Sequence, residues 1–249
     1  MTPTRGTTPR GAATEREAAE YVRGMFGRVA GRYDLLNHLL SFQVDRYWRS
    51  RTVAKVEQVL RRPQVRVMDL CCGTGDLLLA LEARASQTAV LLGGDFCHPM
   101  LVEAGRKAAR RGAAAPLVEC DALSLPYADN SLDLITVAFG FRNFANYRAG
   151  LQELNRVLKP GGMLAILEFS TPPSALFRNL YGFYSRRVLP LVGGLISGDG
   201  EAYKYLPESV RKFPTAEVLA AEMEGAGFTR VRFDRMTCGV VGLQTGLAG

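Results

Sequence analysis

The chain has 249 residues, of which 47% are hydrophobic, and its formal net charge is +7 at pH 7. This length suits one large domain, or a domain with an appended subdomain, and the hydrophobic content is enough for a sizeable core. Five cysteines without a C-x-x-C pair and only two histidines argue against a structural zinc site or a disulfide framework, so we expect no metal and a cytoplasmic setting. No apolar run is long enough to span a bilayer. The charge alone does not distinguish nucleic acid from an anionic membrane as a partner.

The N-terminal quarter divides into a tail and a helical segment. Residues 1–17 are predicted to be a disordered tail, because the first thirteen are rich in Thr, Pro, Gly and Arg and contain no acid. A targeting peptide is the alternative, since such Arg-rich starts occur in transit peptides. Residues 18–62 are predicted to form at least two helices, because apolar residues recur at helical spacing. Tyr33 and Asp34 lie within this segment, which we interpret as a lid over a pocket. His38, with no second ligand nearby, is interpreted as structural.

The stretch V-R-V-M-D-L-C-C-G-T-G-D at 65–76 predicts a strand, a glycine loop and a helix. Its apolar start is typical of a strand buried on both faces. Gly73 and Gly75 then break the strand, and Asp76 begins a helical pattern. This is the first unit of a doubly wound α/β sheet, and a cofactor is expected where the loop crosses the end of the strand. A tight turn that binds nothing is the alternative.

The charge around this loop favours a cationic ligand. Leu78 occupies the third glycine position of the dinucleotide pattern G-x-G-x-x-G, and Asp69 and Asp76 flank the loop, so a pyrophosphate would meet repulsion. S-adenosylmethionine, which carries an ammonium and a sulfonium, fits this field better than NAD. Asp95 ends the next predicted strand about 20 residues on, a distance that suits a carboxylate accepting both ribose hydroxyls. Asp121, after the third strand, is predicted to accept from the adenine amine.

The remaining pattern predicts an alternation of strands and helices with an insertion near the end. Thr215 is predicted to cap the final helix, and residues 172–212 form an insertion before it. The further strands are predicted at 89–95, 117–120, 134–139 and 163–169, the helices at 99–111 and 147–158, and a closing hairpin at 228–234 and 237–245.

Four motifs occur in the order found in class I S-adenosylmethionine-dependent methyltransferases: D-L-C-C-G-T-G-D, G-D-F-C-H-P-M-L, D-A-L-S-L-P and R-V-L-K-P-G-G. More narrowly, the chain resembles the UbiE/MenG family of quinone-biosynthesis C-methyltransferases over residues 25–245. This match rests on M-F-G-R-V-A-G-R-Y-D-L-L-N-H-L-L-S-F at 25–42, F-G-F-R-N at 139–143, L-E-F-S at 167–170 and A-Y-K-Y-L-P-E-S-V at 202–210.

The resemblance implies a fold and a reaction. The fold is a Rossmann-like, doubly wound sheet of seven strands with the last strand antiparallel, formed by a methyltransferase domain at 63–249 that includes the insertion. The reaction is C-methylation of a prenylated quinol. Demethylmenaquinol is the favoured substrate, and a polyprenyl-methoxy-benzoquinol of ubiquinone biosynthesis is the alternative.

The resemblance also assigns site residues. Ala138 stands where some members place a serine that contacts the cofactor, and Thr74, Asp95, Asp121 and Ala122 match the family's cofactor contacts. The full set of predicted cofactor residues is Asp69, Gly73, Thr74, Gly75, Asp95, Asp121, Ala122 and Ala138.

Two residues at the end of the fourth strand are predicted to act in the chemistry. Arg142 and Asn143 are suited to stabilise a phenolate oxygen. Arg142 is a poor base because it hardly deprotonates, so a water or Asp34 is predicted to accept the proton. An Arg–carboxylate brace beneath the sheet is the alternative reading of Arg142.

The insertion is predicted to control access to the substrate. Tyr203 and Tyr205 are expected to meet Tyr33 and Asp34 over the cofactor and to form the walls of one apolar slot. Residues 176–196 interleave apolar and aromatic side chains with arginines, which predicts a peripheral contact with an anionic membrane that guides the prenyl tail. A cover over the sheet edge and a homodimer surface are the alternatives.

Two other functional classes compete with a quinol methyltransferase. An RNA methyltransferase would explain the net charge, but the fourth strand ends in A-F-G-F-R-N rather than the Asn/Asp-Pro-Pro-aromatic used for amino-group methylation. No appended RNA-binding module is visible, so nucleic acid is not predicted as a partner. A non-catalytic cofactor-binding scaffold would leave F-G-F-R-N and the tyrosine motif without a role.

Overall fold

A computed structural model of the chain describes residues 6–9, 11–188 and 200–249. Seven strands form one sheet: β1 Arg66–Leu70, β2 Val90–Asp95, β3 Leu117–Glu119, β4 Leu132–Ala138, β5 Leu158–Phe169, β6 Phe228–Met236 and β7 Val241–Ala248. The described α-helices are α1 Glu15–Val29, α2 Tyr33–Leu40, α3 Val44–Leu60, α4 Asp76–Glu82, α5 His98–Arg111, α6 Tyr147–Val157, α7 Ala175–Phe183, α8 Gly200–Lys212 and α9 Ala216–Gly225.

The strand order is β3-β2-β1-β4-β5-β7-β6. Strands β1 to β5 are parallel, and β7 is antiparallel to both of its neighbours. The predicted seven-stranded sheet with an antiparallel last strand is therefore confirmed. The order of the strands reverses between β1 and β4, and open α/β sheets bind their ligands at such a switch point, beyond the carboxyl ends of the strands.

Helices cover both faces of the sheet because the central strands are apolar on both sides. On one face, Leu151 and Leu154 of α6 and Met223 of α9 pack in a cluster with strand residues such as Ile135. On the other face, Trp48 and Val56 of α3 join Leu77 and Leu81 of α4. The apolar positions of α6 follow helical spacing, which is why its polar face remains in water.

The predicted helical lid at 18–62 consists of α1, α2 and α3. Helix α1 begins earlier than expected, at Glu15, because Thr14 and Glu17 form a capping box. The prediction of a disordered tail at 1–17 also fails at Thr7, which contacts the folded domain. The Thr7 hydroxyl lies 2.7 Å from the hydroxyl of Tyr205, and the backbone N–H of Thr7 donates to the carbonyl of Phe144 at 2.7 Å. Amino-acid composition cannot reveal such contacts of a single residue.

The insertion at 172–212 contains α7, a π-helical turn at Tyr184–Val188, and α8. Residues 189–199 and the side chains of Arg186 and Tyr203 lie outside the described residues, so the predictions that involve them are not addressed. Strand β5 begins at Leu158, earlier than predicted, because Leu158 pairs with Leu132 across a bulge. No described helix has the length and apolarity needed to cross a bilayer.

Candidate active site

A cavity of about 350 Å³ lies at the carboxyl ends of β1, β2 and β4, where the strand order reverses. We call it the loop cavity because Gly73 of the glycine loop lines it. Among the predicted cofactor residues, five line this cavity: Gly73, Asp95, Asp121, Ala122 and Ala138. Its position and its lining agree with the site expected for a cofactor of this fold.

Asp95 fixes the shape of the loop. Its two carboxylate oxygens accept hydrogen bonds from the backbone N–H groups of Gly73 and Cys97, each at 2.9 Å. Burial raises the pKa of Asp95, and those two N–H groups partly oppose the shift. A carboxylate has about four lone-pair sites, so Asp95 retains acceptor capacity for two further donors such as ribose hydroxyls. Gly73 has a φ of +55° and Gly75 a φ of +86°, a conformation that glycine adopts without strain.

Three of the predicted cofactor residues do not line the loop cavity. Asp69 is buried beneath the loop and accepts a hydrogen bond from Thr136 Oγ1 at 2.7 Å. Thr74 donates its hydroxyl proton to Asp34, and Gly75 turns the chain into α4. Their positions indicate that they shape the loop rather than touch what the cavity holds.

The charges that flank the loop are neutralised within the protein. Lys107 Nζ lies 2.5 Å from Asp34 and 2.6 Å from Asp76, and Arg49 lies 3.4 Å from Asp76. The expectation that Asp69 and Asp76 repel an anionic ligand is therefore corrected, because Asp76 is paired and Asp69 is buried away from the cavity. The acidic character of the loop cavity comes instead from the described residues on its wall: Glu15, Glu20, Asp95 and Asp121, against Arg16 and Arg23.

Asp69 supplies a pH prediction. Burial raises its pKa to about 7, although the hydrogen bond from Thr136 and the charge of Arg49 oppose the shift. A carboxyl whose pKa is higher in the folded state contributes stability below its unfolded pKa of about 4, and this contribution is lost as the pH rises through about 7. Asp69→Asn keeps an acceptor for Thr136 and cannot ionise. We therefore expect its unfolding free energy, relative to the native protein, to rise by about 2–3 kcal/mol from pH 5 to pH 8 in urea denaturation. An equal difference at both pH values would contradict this.

A second cavity of about 300 Å³ adjoins the first, and we call it the apolar cavity. Phe26, Tyr33 and Phe139 line both cavities. Tyr33 and Tyr205 share the wall of the apolar cavity, so the lid and the insertion meet at this cavity. Asp34, by contrast, does not line either cavity, because Lys107 and Thr74 hold its carboxylate.

Arg142 and Asn143 lie on different cavities. Arg142 is buried, lines the apolar cavity and pairs with buried Glu168 at 2.9 Å, which is the brace that the sequence left open as an alternative. The Nε of Arg142 is also buried and has no hydrogen-bond partner among the described residues. Asn143 lines the loop cavity, and its Oδ1 accepts a hydrogen bond of 2.9 Å from the hydroxyl of Tyr205.

The tyrosines between the two cavities are neutral hydrogen-bonding groups. Burial raises the pKa of Tyr33, against the positive charge of Arg142, and burial also raises the pKa of Tyr205. Phenols with raised pKa values donate protons to hydrogen bonds at neutral pH and do not act as bases. The apolar cavity thus combines an apolar lining with neutral hydroxyl groups that can donate hydrogen bonds.

Sequence reasoning missed a polar cluster on the wall of the apolar cavity. Ser41, Asp45 and Arg49 line this cavity, and His38 lies behind them with its Nδ1 2.7 Å from Asp45. The sequence does contain a signal for this cluster: Ser41, Asp45 and Arg49 are spaced four residues apart. Residues four apart lie on the same side of a helix. Phe42 and Gln43 interrupt the helical pattern between Ser41 and Asp45 and hid this signal.

Comparison with known proteins identifies relatives over most of the chain. The model of the ubiE/COQ5 methyltransferase family matches residues 14–248. A demethylmenaquinone methyltransferase of Thermus thermophilus is 51% identical over 89% of this chain and 99% of its own length. Another of Deinococcus radiodurans is 46% identical over 93% of this chain and 94% of its own length. A ubiquinone/menaquinone biosynthesis C-methyltransferase UbiE of Geotalea daltonii is 42% identical over 92% of this chain and 97% of its own length.

Solved structures agree on the fold. An S-adenosylmethionine-dependent methyltransferase of Thermotoga maritima superposes with a TM-score of 0.63 at 18% identity, covering 91% of this chain and 99% of that one. At this identity the likeness concerns the fold alone.

Proposed function

Because the chain belongs to the ubiE/COQ5 methyltransferase family, we propose that it transfers a methyl group from S-adenosylmethionine to a ring carbon of demethylmenaquinol. The observation that carries the proposal is the junction of the two cavities, where Phe26, Tyr33 and Phe139 line both. A cofactor in one cavity and a ring in the other would meet at these side chains. The names of the relatives from Thermus and Deinococcus support a naphthoquinol. The name of the Geotalea relative keeps a benzoquinol as the second candidate.

The loop cavity fits S-adenosylmethionine. When bound, this cofactor supplies a methyl group activated by a sulfonium. Asp95 would accept from the ribose hydroxyls, and Asp121 would accept from the adenine amine. Glu15 on the same wall favours a ligand with positive charge, whereas Glu20 is paired with Arg16 at 2.8 Å.

The apolar cavity would hold the quinol ring against Phe139 and Tyr33. Aromatic side chains hold a planar ring in one orientation, which would align the reacting carbons. Arg142 would stabilise the oxygen that gains negative charge, because its buried Nε is a donor without a partner among the described residues. The pair with Glu168 keeps the guanidinium in place without occupying that donor. Brace and oxyanion donor are therefore compatible roles.

A parallel assay tests the proposed function. The purified protein is incubated with S-adenosylmethionine carrying a labelled methyl group and with demethylmenaquinol, a 2-polyprenyl-benzoquinol or tRNA. We expect label on the naphthoquinol ring and slower transfer to the benzoquinol. Transfer to tRNA, or to none of the three, would contradict the proposal.

We also propose that the protein contacts the cytoplasmic face of an anionic membrane through an exposed apolar face. This apolar face consists of side chains from α2, α7 and the turn after α2: Leu35, Leu39, Phe42, Leu176, Leu180 and Phe183. The rings of Phe42 and Tyr184 lie 6.0 Å apart, and both line the apolar cavity. The face therefore adjoins the cavity, which suits a substrate whose prenyl tail remains in lipid. Exposed Arg178 and Arg187 provide charge for anionic headgroups.

Vesicle binding checks this contact. Anionic vesicles are expected to retain the native protein at low salt and to release much of it as salt screens the arginines. The double variant Leu180→Asp, Phe183→Asp should lose retention. Val102→Asp, which changes an exposed apolar side chain of α5, is the matched control and should keep it. Equal flotation of both variants would contradict a membrane contact through this face. Dimers in sedimentation that only the double variant dissociates would instead favour a contact between two copies of the chain.

A further inference from the structure

Methylation of a quinol ring releases one proton, and the structure narrows which group accepts it. The ring carbon forms a bond to the methyl group, the sulfur retains the electron pair of the broken S–C bond, and the quinol hydroxyl loses its proton, which leaves a ketone whose ring carbon carries both the methyl group and its original hydrogen. That carbon then loses its hydrogen as a proton and the ketone oxygen takes up a proton, so the aromatic quinol is restored and one proton is released in total. Asp34, the acceptor expected from the sequence, is held by Lys107 at 2.5 Å and by the Thr74 hydroxyl, away from both cavities. A different acceptor is needed in the apolar cavity.

Asp45, in the first turn of α3, is the only carboxylate among the described residues that line the apolar cavity. It is 2% exposed and so is shielded from bulk water. The phenols on the same wall, Tyr33, Tyr181, Tyr184 and Tyr205, have pKa values raised by burial and cannot accept a proton at neutral pH. By elimination, Asp45 is the one anionic acceptor on this wall within the described part of the chain.

The hydrogen bonds of Asp45 leave one acceptor position open. Oδ2 accepts from Arg49 and lies 2.7 Å from His38 Nδ1, whereas the single described donor to Oδ1 is Ser41 Oγ, at 2.7 Å. An ionised carboxylate has about four lone-pair sites. Three are therefore used by the protein, and the fourth is on Oδ1.

We propose that Asp45 is the general base of this enzyme, accepting the quinol hydroxyl proton on Oδ1 as the carbon–carbon bond forms. The proposal rests on the proposed function, since it assigns the proton acceptor of that reaction. His38, Ser41 and Arg49 are positioning residues, because they hold the carboxylate without contacting the ring carbon. The proton leaves Asp45 for solvent when the product is released.

The charges around Asp45 keep it ionised. Burial acts to raise its pKa, but the hydrogen bond from Ser41 and the charge of Arg49 outweigh burial and lower the pKa below the usual value. His38 faces Asp45 from α2 and Arg49 faces it from α3. Behind them, Asp76 of α4 lies 3.4 Å from Arg49 and 2.6 Å from Lys107 of α5. Oxygen and nitrogen atoms of His38, Asp45 and Asp76 lie within 4.8 Å of one another, but Arg49 and Lys107 already supply the cationic partners there.

The pH dependence of single turnovers tests the proposal. Protein preloaded with S-adenosylmethionine is mixed with demethylmenaquinol, and the first methyl transfer is timed between pH 6 and pH 9. Asp45→Asn is expected to slow this step about 100-fold or more at pH 7. Its rate should rise about tenfold per pH unit, because hydroxide must then remove the proton, whereas the native rate stays nearly flat. Asp45→Ala with added formate should recover part of the rate.

Two further variants make the test specific. Asp34→Asn removes a carboxylate outside the cavities and should keep the flat pH profile of the native protein. Asp45→Glu retains a carboxylate and should also keep a flat profile at a lower rate, which gives an answer even if Asp45→Asn fails to fold. A pH-independent loss in Asp45→Asn without rescue by formate, or a hydroxide-dependent profile in Asp34→Asn alone, would overturn the proposal. Absence of any transfer by the native protein would instead refute the proposed function.

Discussion

Replacing Arg142 with alanine is expected to slow methyl transfer about 10²–10³-fold and to lower the free energy of unfolding by about 3–5 kcal/mol. The second effect arises because Glu168, 1% exposed, would remain as a buried charge without its guanidinium. The first arises because removal of one donor to a developing oxyanion typically costs about 10²–10³ in turnover. Thermal and urea unfolding, with an assay at a temperature where the variant is folded, separate the two.

A double variant decides whether Arg142 acts on the substrate or only as a brace. Removing both charges of a buried ion pair avoids the cost of leaving one of them without its partner. Arg142→Met combined with Glu168→Gln removes both charges and keeps an acceptor for the backbone N–H groups of Arg142 and Phe169. This double variant should recover most of the unfolding free energy and leave turnover at least about 100-fold below the native value. If turnover recovers together with stability, Arg142 is a structural brace and another group stabilises the phenolate.

Asp95→Ala is expected to weaken binding of S-adenosylmethionine by about 1.5–3 kcal/mol, which is about 10- to 150-fold in Kd. The change removes the acceptors proposed for the ribose hydroxyls and releases the N–H groups of Gly73 and Cys97, so the loop loses its anchor. Asp121→Ala is the matched comparison. It removes one carboxylate from the same cavity but none that holds the loop, and about 0.5–1.5 kcal/mol should be lost.

Calorimetry on the two variants checks this order. Unchanged affinity in Asp95→Ala, or a larger loss in Asp121→Ala, would contradict the assignment of the ribose to Asp95. Binding of NAD by the native protein in place of S-adenosylmethionine would contradict the assignment of the cavity itself.

The sheet could be predicted from the sequence because its signals are local. Apolar runs such as that before Cys71, and the glycines that end them, specify buried strands and the loop at the switch point. The start of β5 was less predictable, since Pro160 and Gly161 resemble a stop signal. Pairing of Leu158 with Leu132, across about 26 residues of sequence, extends the strand instead.

The site was predictable only in part because charges pair across the fold. The sequence places Asp76 beside the glycine loop, but it cannot show that Lys107, 31 residues away, neutralises it at 2.6 Å. For the same reason the sequence points to Asp34 as the base, because Asp34 stands next to Tyr33. Asp45 can be recognised as a candidate base only when the packing of α3 against the apolar cavity is known. Tyr205 was easier to place, because the motif that contains it is specific to the family and points to the substrate side of the site.

A crystal structure with S-adenosylhomocysteine and menaquinone bound together is the most direct test of the two-cavity arrangement. We expect the ribose hydroxyls on Asp95 and the naphthoquinone ring in the apolar cavity between Tyr33 and Tyr205, with its methyl-bearing carbon facing the sulfur. One ring oxygen should lie beside Arg142 and within hydrogen-bond distance of Asp45. In the reduced quinol this oxygen is the hydroxyl that would donate its proton to Asp45. A ring bound outside the apolar cavity, or with its methyl group turned away from the sulfur, would contradict this arrangement.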